Sequence, residues 1–420
     1  MPRFTQLADW LAWQETLHPQ AIALGLERVQ AVMQRLVIPL TPPIITVAGT
    51  NGKGSCVALL DAILRAQGYR VGCFTSPHLL RYNERITVQG LPVSDIALCT
   101  AFAAIDAARG DIALTYFEFN TLAAFWIFSH TPLDALVLEV GLGGRLDAVN
   151  AVAADVALLA TVDLDHQAWL GETREAIGRE KAGILRPRRP AVCADRQPPT
   201  SIRTEAARLG VPLAVLGEDF DFSQQRDGAW QWRMQGQSWS HLPPPALVGA
   251  YQYDNAATVL AALAQLAQRL PVRAAAIVQG LQAVQLPGRW QRVRDRVWLD
   301  VAHNPQALRS LAGLLQAQPV PGRTLLVVGM MQDKDWQTAL QPLLPWITQW
   351  HTVDLPTPRA LAAAELAAWL QGQGAAVESW SHAEAACAAA YAATQPDDRV
   401  VVCGSFWTVA AALRWAEAAA

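Results

Sequence analysis

A basic excess is missing: 33 lysines and arginines stand against 36 aspartates and glutamates, a formal net charge of −3. A nucleic-acid surface needs cations to neutralise phosphates, so no nucleic-acid partner is expected. Long apolar runs are missing too, and residues 1–13 alternate polar with apolar side chains without the apolar centre of a signal peptide. No membrane association is expected, and a cytoplasmic location follows. Cysteine is scarce, with six scattered residues (Cys56, Cys73, Cys99, Cys193, Cys387, Cys403) and no C-x-x-C pair. That excludes the usual zinc spacing and a disulfide framework, leaving small buried side chains. What the chain does have is length and apolar mass: 420 residues, 52% hydrophobic. One core rarely grows that far, so two domains are expected.

Against that background one stretch stands out, Gly49-Thr50-Asn51-Gly52-Lys53-Gly54-Ser55, between an apolar run at 43–47 and a helical pattern that begins near Ser55. A strand that ends in a glycine-rich turn and enters a helix directs backbone N–H groups and the positive helix end at one point, where a phosphate can sit. Lys53 adds a point charge. The spacing departs from G-x-x-x-x-G-K-[ST], because Gly54 separates Lys53 from the Ser55 hydroxyl.

The rest alternates strand and helix. Helical spacing covers much of 5–36, and Pro39, Pro42 and Pro43 close that region. A helix over 55–67 and a strand over 69–75 complete one βαβ unit, with Ser76 just beyond the strand. The run 135–140 is apolar except for Glu139, and a charge at the end of a buried strand calls for a partner. Another strand, 156–162, leads into Asp163-Leu164-Asp165-His166. The tryptophans at 230, 232 and 239 suggest a hairpin. After Leu286-Pro287-Gly288-Arg289, strands at 297–301, 324–329, 352–355 and 400–403 alternate with helices, which implies a second parallel sheet. The expected fold is α/β with two domains: a P-loop-type ATPase domain at 1–286, a linker at 287–289, and a smaller Rossmann-like domain at 290–420.

In parallel sheets ligands bind at the carboxyl ends of strands. Lys53 and Ser55, Ser76, Glu139 and His166 therefore converge by topology. Mg²⁺ takes oxygen ligands and phosphate oxygens, which suits Ser76 and Glu139; a nitrogen from His166 is a less usual ligand and makes Mn²⁺ or a second ion plausible. In the second half Asp300, His303 and Asn304 repeat the pattern of strand, polar turn and helix, with Arg289 at the joint. Asp300 and Asn304 also suit helix caps and Arg289 a surface ion pair, so on spacing alone both readings stand.

Six ordered segments carry a resemblance. They are Gly49–Ser55, Ser76-Pro77-His78-Leu79, Glu139-Val140-Gly141-Leu142-Gly143-Gly144-Arg145-Leu146-Asp147-Ala148, Arg179-Glu180-Lys181-Ala182-Gly183, Leu286–Arg289, and Asp300-Val301-Ala302-His303-Asn304-Pro305. Together they resemble the bacterial bifunctional folylpolyglutamate synthase/dihydrofolate synthase family, within the Mur ligase superfamily. The likeness runs from Leu24-Gly25-Leu26-Glu27-Arg28-Val29 to Cys403-Gly404-Ser405-Phe406-Trp407-Thr408-Val409.

The resemblance implies an ATP-dependent amide ligase that adds L-glutamate to dihydropteroate and to reduced folates through an acyl phosphate. Gly49, Thr50, Asn51, Gly52, Lys53, Gly54 and Ser55 would bind ATP phosphates. Asn255, Arg289, Asp300 and His303 would contact the nucleotide. Ser76, Glu139, His166 and Lys181 would hold magnesium, as two ions, with Lys181 carried as a carbamate. Lys53, Lys181 and His166 are the implied catalytic residues. Thr115, Tyr116, Phe117 and Glu118, with Leu146, Asp147 and Ala148, would form the dihydropteroate pocket. A monomer is expected. One departure is Ala23, where the family often has an aspartate before Leu-Gly-Leu. Two other readings share the cradle: a peptidoglycan-precursor ligase, which normally carries a further N-terminal domain, and a P-loop regulator or kinase that makes no amide.

Overall fold

The computed structural model describes residues 2–418. The chain divides into two compact units, one of residues 1–163, 167–246 and 252–285, the other of residues 164–166, 247–251 and 286–420. Two short segments, 164–166 and 247–251, thus belong with the C-terminal unit rather than with the residues that flank them.

The first unit is built on an eight-stranded sheet: β1 (Ile44–Ala48), β2 (Val71–Phe74), β3 (Ile86–Val88), β4 (Leu91–Pro92), β5 (Ala135–Glu139), β6 (Val156–Leu159), β7 (Ala191–Cys193) and β8 (Leu213–Val215). Their order is β4-β3-β2-β5-β1-β6-β7-β8. Pairing is parallel from β2 to β8, and β3 and β4 are antiparallel additions at one edge. The parallel strands are almost wholly buried, as expected where helices cover both faces. Helix Lys53–Gln67 follows β1 and ends at Gly68, whose φ of 100° is the left-handed cap that glycine adopts without a Cβ penalty. Helices Asp95–Arg109 and Tyr116–Ser129 begin at Ser94 and Thr115, each accepting a backbone N–H at its N-cap. Their apolar faces join Trp10, Phe74, Phe102, Phe119 and Phe125 in one core.

The second unit holds a six-stranded sheet. After the intervening three-stranded sheet of the first unit, β9 (Phe220–Gln224), β10 (Trp230–Met234) and β11 (Gln237–Leu242), come β12 (Gln291–Arg294), β13 (Val297–Leu299), β14 (Thr324–Val328), β15 (Gln349–Val353), β16 (Val377–Trp380) and β17 (Arg399–Cys403). The order is β12-β13-β17-β14-β15-β16, parallel except at β12. Leu308, Leu311, Leu326, Val328, Trp350 and Val401 are among its core.

Several sequence expectations change. Residues 15–26 are not helical, so the early helical region is two helices, Leu7–Gln14 and Glu27–Leu36. The tryptophan hairpin is the β10–β11 pair of a three-stranded sheet, in which Trp232 stacks on Trp239 at 4.6 Å and β9 completes the other edge. The edge strands β12 and β16 escape the pattern because both are short and only partly buried.

Candidate active site

The sheet order brings the first cluster together. The register sets Val47 of β1 beside Glu139 of β5, and Phe74 of β2 beside Leu138, so the chain leaves β1 at Gly49, β2 at Thr75-Ser76 and β5 at Val140 along one edge. Glu139 is 5% exposed, and its Oε2 accepts the Ser76 N–H at 3.1 Å. A backbone donor thus offsets part of the desolvation of this carboxylate.

The loop after β1 is held from below. Thr50 N–H donates to the Thr161 carbonyl at 2.7 Å and its hydroxyl to the Asp163 carbonyl at 2.9 Å, while Asn51 and Thr161 form a bridge. A Cβ on Gly49 would lie 2.7 Å from Ala160 Cβ. Gly52 has φ 88°, and a Cβ there would lie 2.7 Å from Asn255 Oδ1. The loop therefore needs glycine at 52 on conformational and steric grounds together. The N-cap of helix Lys53–Gln67 is Gly52, which has no side chain to cap it with, and this leaves the first N–H groups of the helix for an anion. Lys53 Nζ reaches the Gly49 and Thr50 carbonyls at 3.1 and 3.2 Å. Ser55 is buried and accepts from Gln252, which in turn accepts from Asn255 at 2.9 Å. Asn255, expected at the nucleotide, is 3% exposed and braces the back of the loop.

The loop 141–148 is locked onto helix Arg174–Ala182. Arg145 pairs with Glu180 at 2.9 Å, Asn150 donates to the Arg145 and Gly183 carbonyls, and Gly144 leaves no room for a Cβ against Glu180 and Lys181. That packing buries Lys181 to 3% exposure. Asp147 is equally buried; its two oxygens accept from Leu142 and Val149. Burial pushes its carboxyl up to about 6, against the pull of those N–H groups and of the Lys53 charge.

The face Thr115–Glu118 meets the same loop. A Cβ on Gly141 would lie 2.5 Å from the Phe117 ring, and the Gly25 N–H donates to the Leu146 carbonyl at 3.2 Å. Glu118, expected to line a substrate pocket, is bound up inside the protein: it accepts from Thr115 N–H at 2.8 Å and pairs with Arg28 at 2.8 Å. Arg28 also donates to the Ala23 carbonyl at 2.7 Å, so Arg28 ties the segment before Leu24 to Glu118. In the sequence Arg28 stands out only as part of the early segment 24–29, with no role of its own. Its signal was faint, a helix-facing arginine with its partner 90 positions away.

The second unit gathers its own cluster. Asp165 lies between Lys334 Nζ at 2.5 Å and Asn304 Nδ2 at 3.1 Å, with the Nε2 atoms of His166 and His303 each 3.9 Å from its Oδ2. Burial alone would raise this carboxyl, but the charge of Lys334, joined by those of the two histidines once they are protonated, holds it well below the usual range. His303 has Nδ1 at 2.8 Å from the Val301 carbonyl, which assigns the proton to Nδ1 and the lone pair to Nε2. Burial, and then the Lys334 charge, lowers it to about 4, so it is neutral near pH 7. Asp300 accepts from Trp290 and Ala302 N–H, and burial raises its carboxyl against the opposing charge of Arg289. Arg289 lies over the Phe406 ring at 5.7 Å. Asn304 is the N-cap of helix Pro305–Ala317 as well as a partner of Asp165. Lys334 was missed by sequence reading, although it follows the carboxyl end of β14.

Among the described residues no three His, Cys, Asp or Glu side chains gather as a metal nest. A metal held through phosphate oxygens and water needs fewer protein ligands. The hard oxygens of Glu139 and Ser76, joined at the end of the sheet beside the cradle, fit such an ion. His166 falls in the unit that holds Asp165.

A phosphate cradle at the end of a parallel sheet, followed by a second α/β unit, defines the Mur ligase type of ATP-dependent ligase, and residues 288–406 match the family model "Mur ligase, glutamate ligase domain". The chain is 45% identical to the dihydrofolate synthase/folylpolyglutamate synthase of Escherichia coli K12, over 96% of this chain and 94% of that one, and 32% identical to the Bacillus subtilis protein of that name, over 86% and 88%. The structure of E. coli FolC in complex with DHPP and ADP superposes with a TM-score of 0.94 at 44% identity, covering 99% of this chain and 98% of that one. A Yersinia pestis bifunctional synthase complexed with AMPPNP and Mn ion gives 0.91 at 46%, covering 98% of each. The chain belongs to the dihydrofolate synthase/folylpolyglutamate synthase family.

Proposed function

We propose that this chain joins L-glutamate to dihydropteroate and to reduced folates at the expense of ATP, through an acyl phosphate. The observation that carries the proposal is the cradle at the end of β1, beside the buried Glu139–Ser76 pair. A carboxylate resists attack by an amine until one oxygen becomes a leaving group. Transfer of the γ-phosphoryl group supplies it; the amino group of glutamate then adds, phosphate leaves, and an amide remains.

In this reading Gly49 to Ser55 hold the phosphates on backbone N–H groups, and Lys53 neutralises charge on the transferring group. Ser76 and Glu139, with His166 and a carbamylated Lys181, would hold Mg²⁺, as two ions. A bound divalent ion supplies charge neutralisation at phosphate oxygens. Burial of Lys181 beside the loop 141–148 suits the modification, since a carbamate turns the cation into an anion with oxygen ligands that a divalent ion would pair. Asn255, Arg289, Asp300 and His303 are assigned to the nucleotide. Phe117 offers a flat surface for a pterin, and Thr115, Tyr116, Leu146 and Ala148 flank it; Glu118 and Asp147 brace the pocket wall through the contacts described above. No helix of the described residues is long and apolar enough to cross a membrane. Six free cysteines suit a reducing cytoplasm, where we place the protein as a monomer.

The test is product analysis. With ATP, Mg²⁺, L-glutamate and either dihydropteroate or tetrahydrofolate, the protein should form ADP, phosphate and a product one glutamate heavier. ADP release without that product would reject the proposal.

A further inference from the structure

Arg85 is a buried cation without an anionic partner among the described residues. It closes the short helical turn Tyr82–Arg85 before β3, is 9% exposed, and pairs with no carboxylate among the described residues. The nearest acid in its segment, Glu84, is consumed by the N–H groups of Leu79, Leu80 and Arg81 at 2.6–2.9 Å. Of the five guanidinium donors only Nε–H has an acceptor among the described residues, His78 Nδ1 at 2.8 Å. The guanidinium stands over two aromatic rings, Tyr82 at 5.8 Å and Tyr116 at 5.7 Å.

A second surplus donor belongs to the same group. Asn120 is fully buried; its Oδ1 accepts the Tyr82 hydroxyl at 2.6 Å, while its Nδ2 faces the Tyr116 hydroxyl without reaching a partner at full hydrogen-bond geometry among the described residues. Terminal guanidinium nitrogens and a buried amide donor, framed by tyrosines and without an acceptor, make an environment that favours a planar anion. Its place in the fold suits a substrate. The Arg85 carbonyl accepts the Thr75 N–H at 2.8 Å, and the next residue, Ser76, is the one bonded to Glu139. Tyr116 adjoins Phe117, the ring packed on Gly141.

We propose that Arg85 binds a carboxylate that does not react, carried by a glutamate moiety of the substrates. The proposal rests on the ligase reading above. Two substrates present such a group: the incoming L-glutamate, and the glutamyl tail of a reduced folate. Dihydropteroate presents only the carboxylate that is activated. Arg85 thus separates substrates that contain glutamate from the one that does not, and its planar fork matches a carboxylate in two hydrogen bonds.

The test is steady-state kinetics on the full chain with Arg85→Met, which keeps volume against the rings, and Arg85→Lys, which keeps charge and loses the fork. KM is measured separately for L-glutamate, tetrahydrofolate, dihydropteroate and ATP. Loss of a charge-assisted carboxylate contact raises KM by about 10- to 100-fold. A rise for L-glutamate with either acceptor supports the proposal and identifies the incoming amino acid; a rise for tetrahydrofolate alone supports it and identifies the tail. Arg85→Lys should fall between wild type and Arg85→Met. Unchanged KM for both, or equal rises that include dihydropteroate and ATP, overturns it. Should Arg85→Met not fold, Arg85→Lys is judged by the same KM comparison. Wild-type protein that makes no amide rejects the ligase reading and this inference with it, whereas an active wild type with indifferent variants rejects the inference alone.

Discussion

Lys334→Met removes one partner of a pair in which both side chains are under a tenth exposed, 8% for Lys334 and 9% for Asp165. Breaking such a pair from one side strands the other charge, and the loss is typically about 3–5 kcal/mol. The Asn304 amide still donates to Asp165, which places the expectation at the lower end, ~3 kcal/mol. The histidines make the loss depend on pH. His303 is lowered to about 4 by burial and then by Lys334, so removing the ammonium raises it. As pH falls, the variant can protonate a histidine beside Asp165 and recover part of the loss; the deficit should therefore be larger at pH 8 than at pH 6. In the wild type Asp165 has its folded value depressed, so its stabilisation is complete above the unfolded carboxylate value and fades only as pH falls below it. Denaturant-dependent hydrogen exchange at the amides of β13, β14 and β17 reads the second unit separately, which a bulk melt of two cores does not. Asp165→Asn together with Lys334→Met should restore most of the loss, because no charge is then stranded. A deficit under about 0.5 kcal/mol at both pH values, the range of ordinary surface changes, would refute the reasoning.

Gly52→Ala should weaken nucleotide binding by about tenfold or more, since a Cβ at φ 88° costs roughly 1–2 kcal/mol and also meets Asn255 Oδ1; titration with a fluorescent nucleotide checks this, and wild-type affinity would count against a cradle at this loop. Asp147→Ala leaves the Leu142 and Val149 N–H groups without their acceptor and loosens the loop 141–148. Its kcat/KM for dihydropteroate should drop about 10- to 100-fold, more than for tetrahydrofolate; equal losses would argue against a separate pterin contact. Protein equilibrated with ¹³C-bicarbonate should show one carbamate carbonyl resonance that Lys181→Arg abolishes, and a spectrum without it would remove the carbamate from the account.

Much of this was legible because it is local or periodic. The apolar run into Gly49 could be read as a strand ending in a phosphate loop, and it forms the centre of the sheet. Glu139 could be singled out because a charge at the end of a buried strand needs a reason, and the register sets it beside Val47. What sequence could not show was which partner each polar group takes across long separations. The ion pair of Glu118 with Arg28 and the packing of Asn255 against Gly52 are of this kind. Lys334 and Asp165 lie 169 positions apart, and neither announces the other. The division of the chain was similarly hidden, since nothing in the sequence of 164–166 says that these residues group with the unit that begins at 286 rather than with the strand before them.

The central claim is that ATP activates the acceptor carboxylate as an acyl phosphate before the amide forms. Dihydropteroate labelled with ¹⁸O in its carboxylate tests this most directly, by mass spectrometry of the phosphate released during turnover with ATP and L-glutamate. The account predicts one ¹⁸O transferred to phosphate for each amide made. Amide formation with unlabelled phosphate would contradict it.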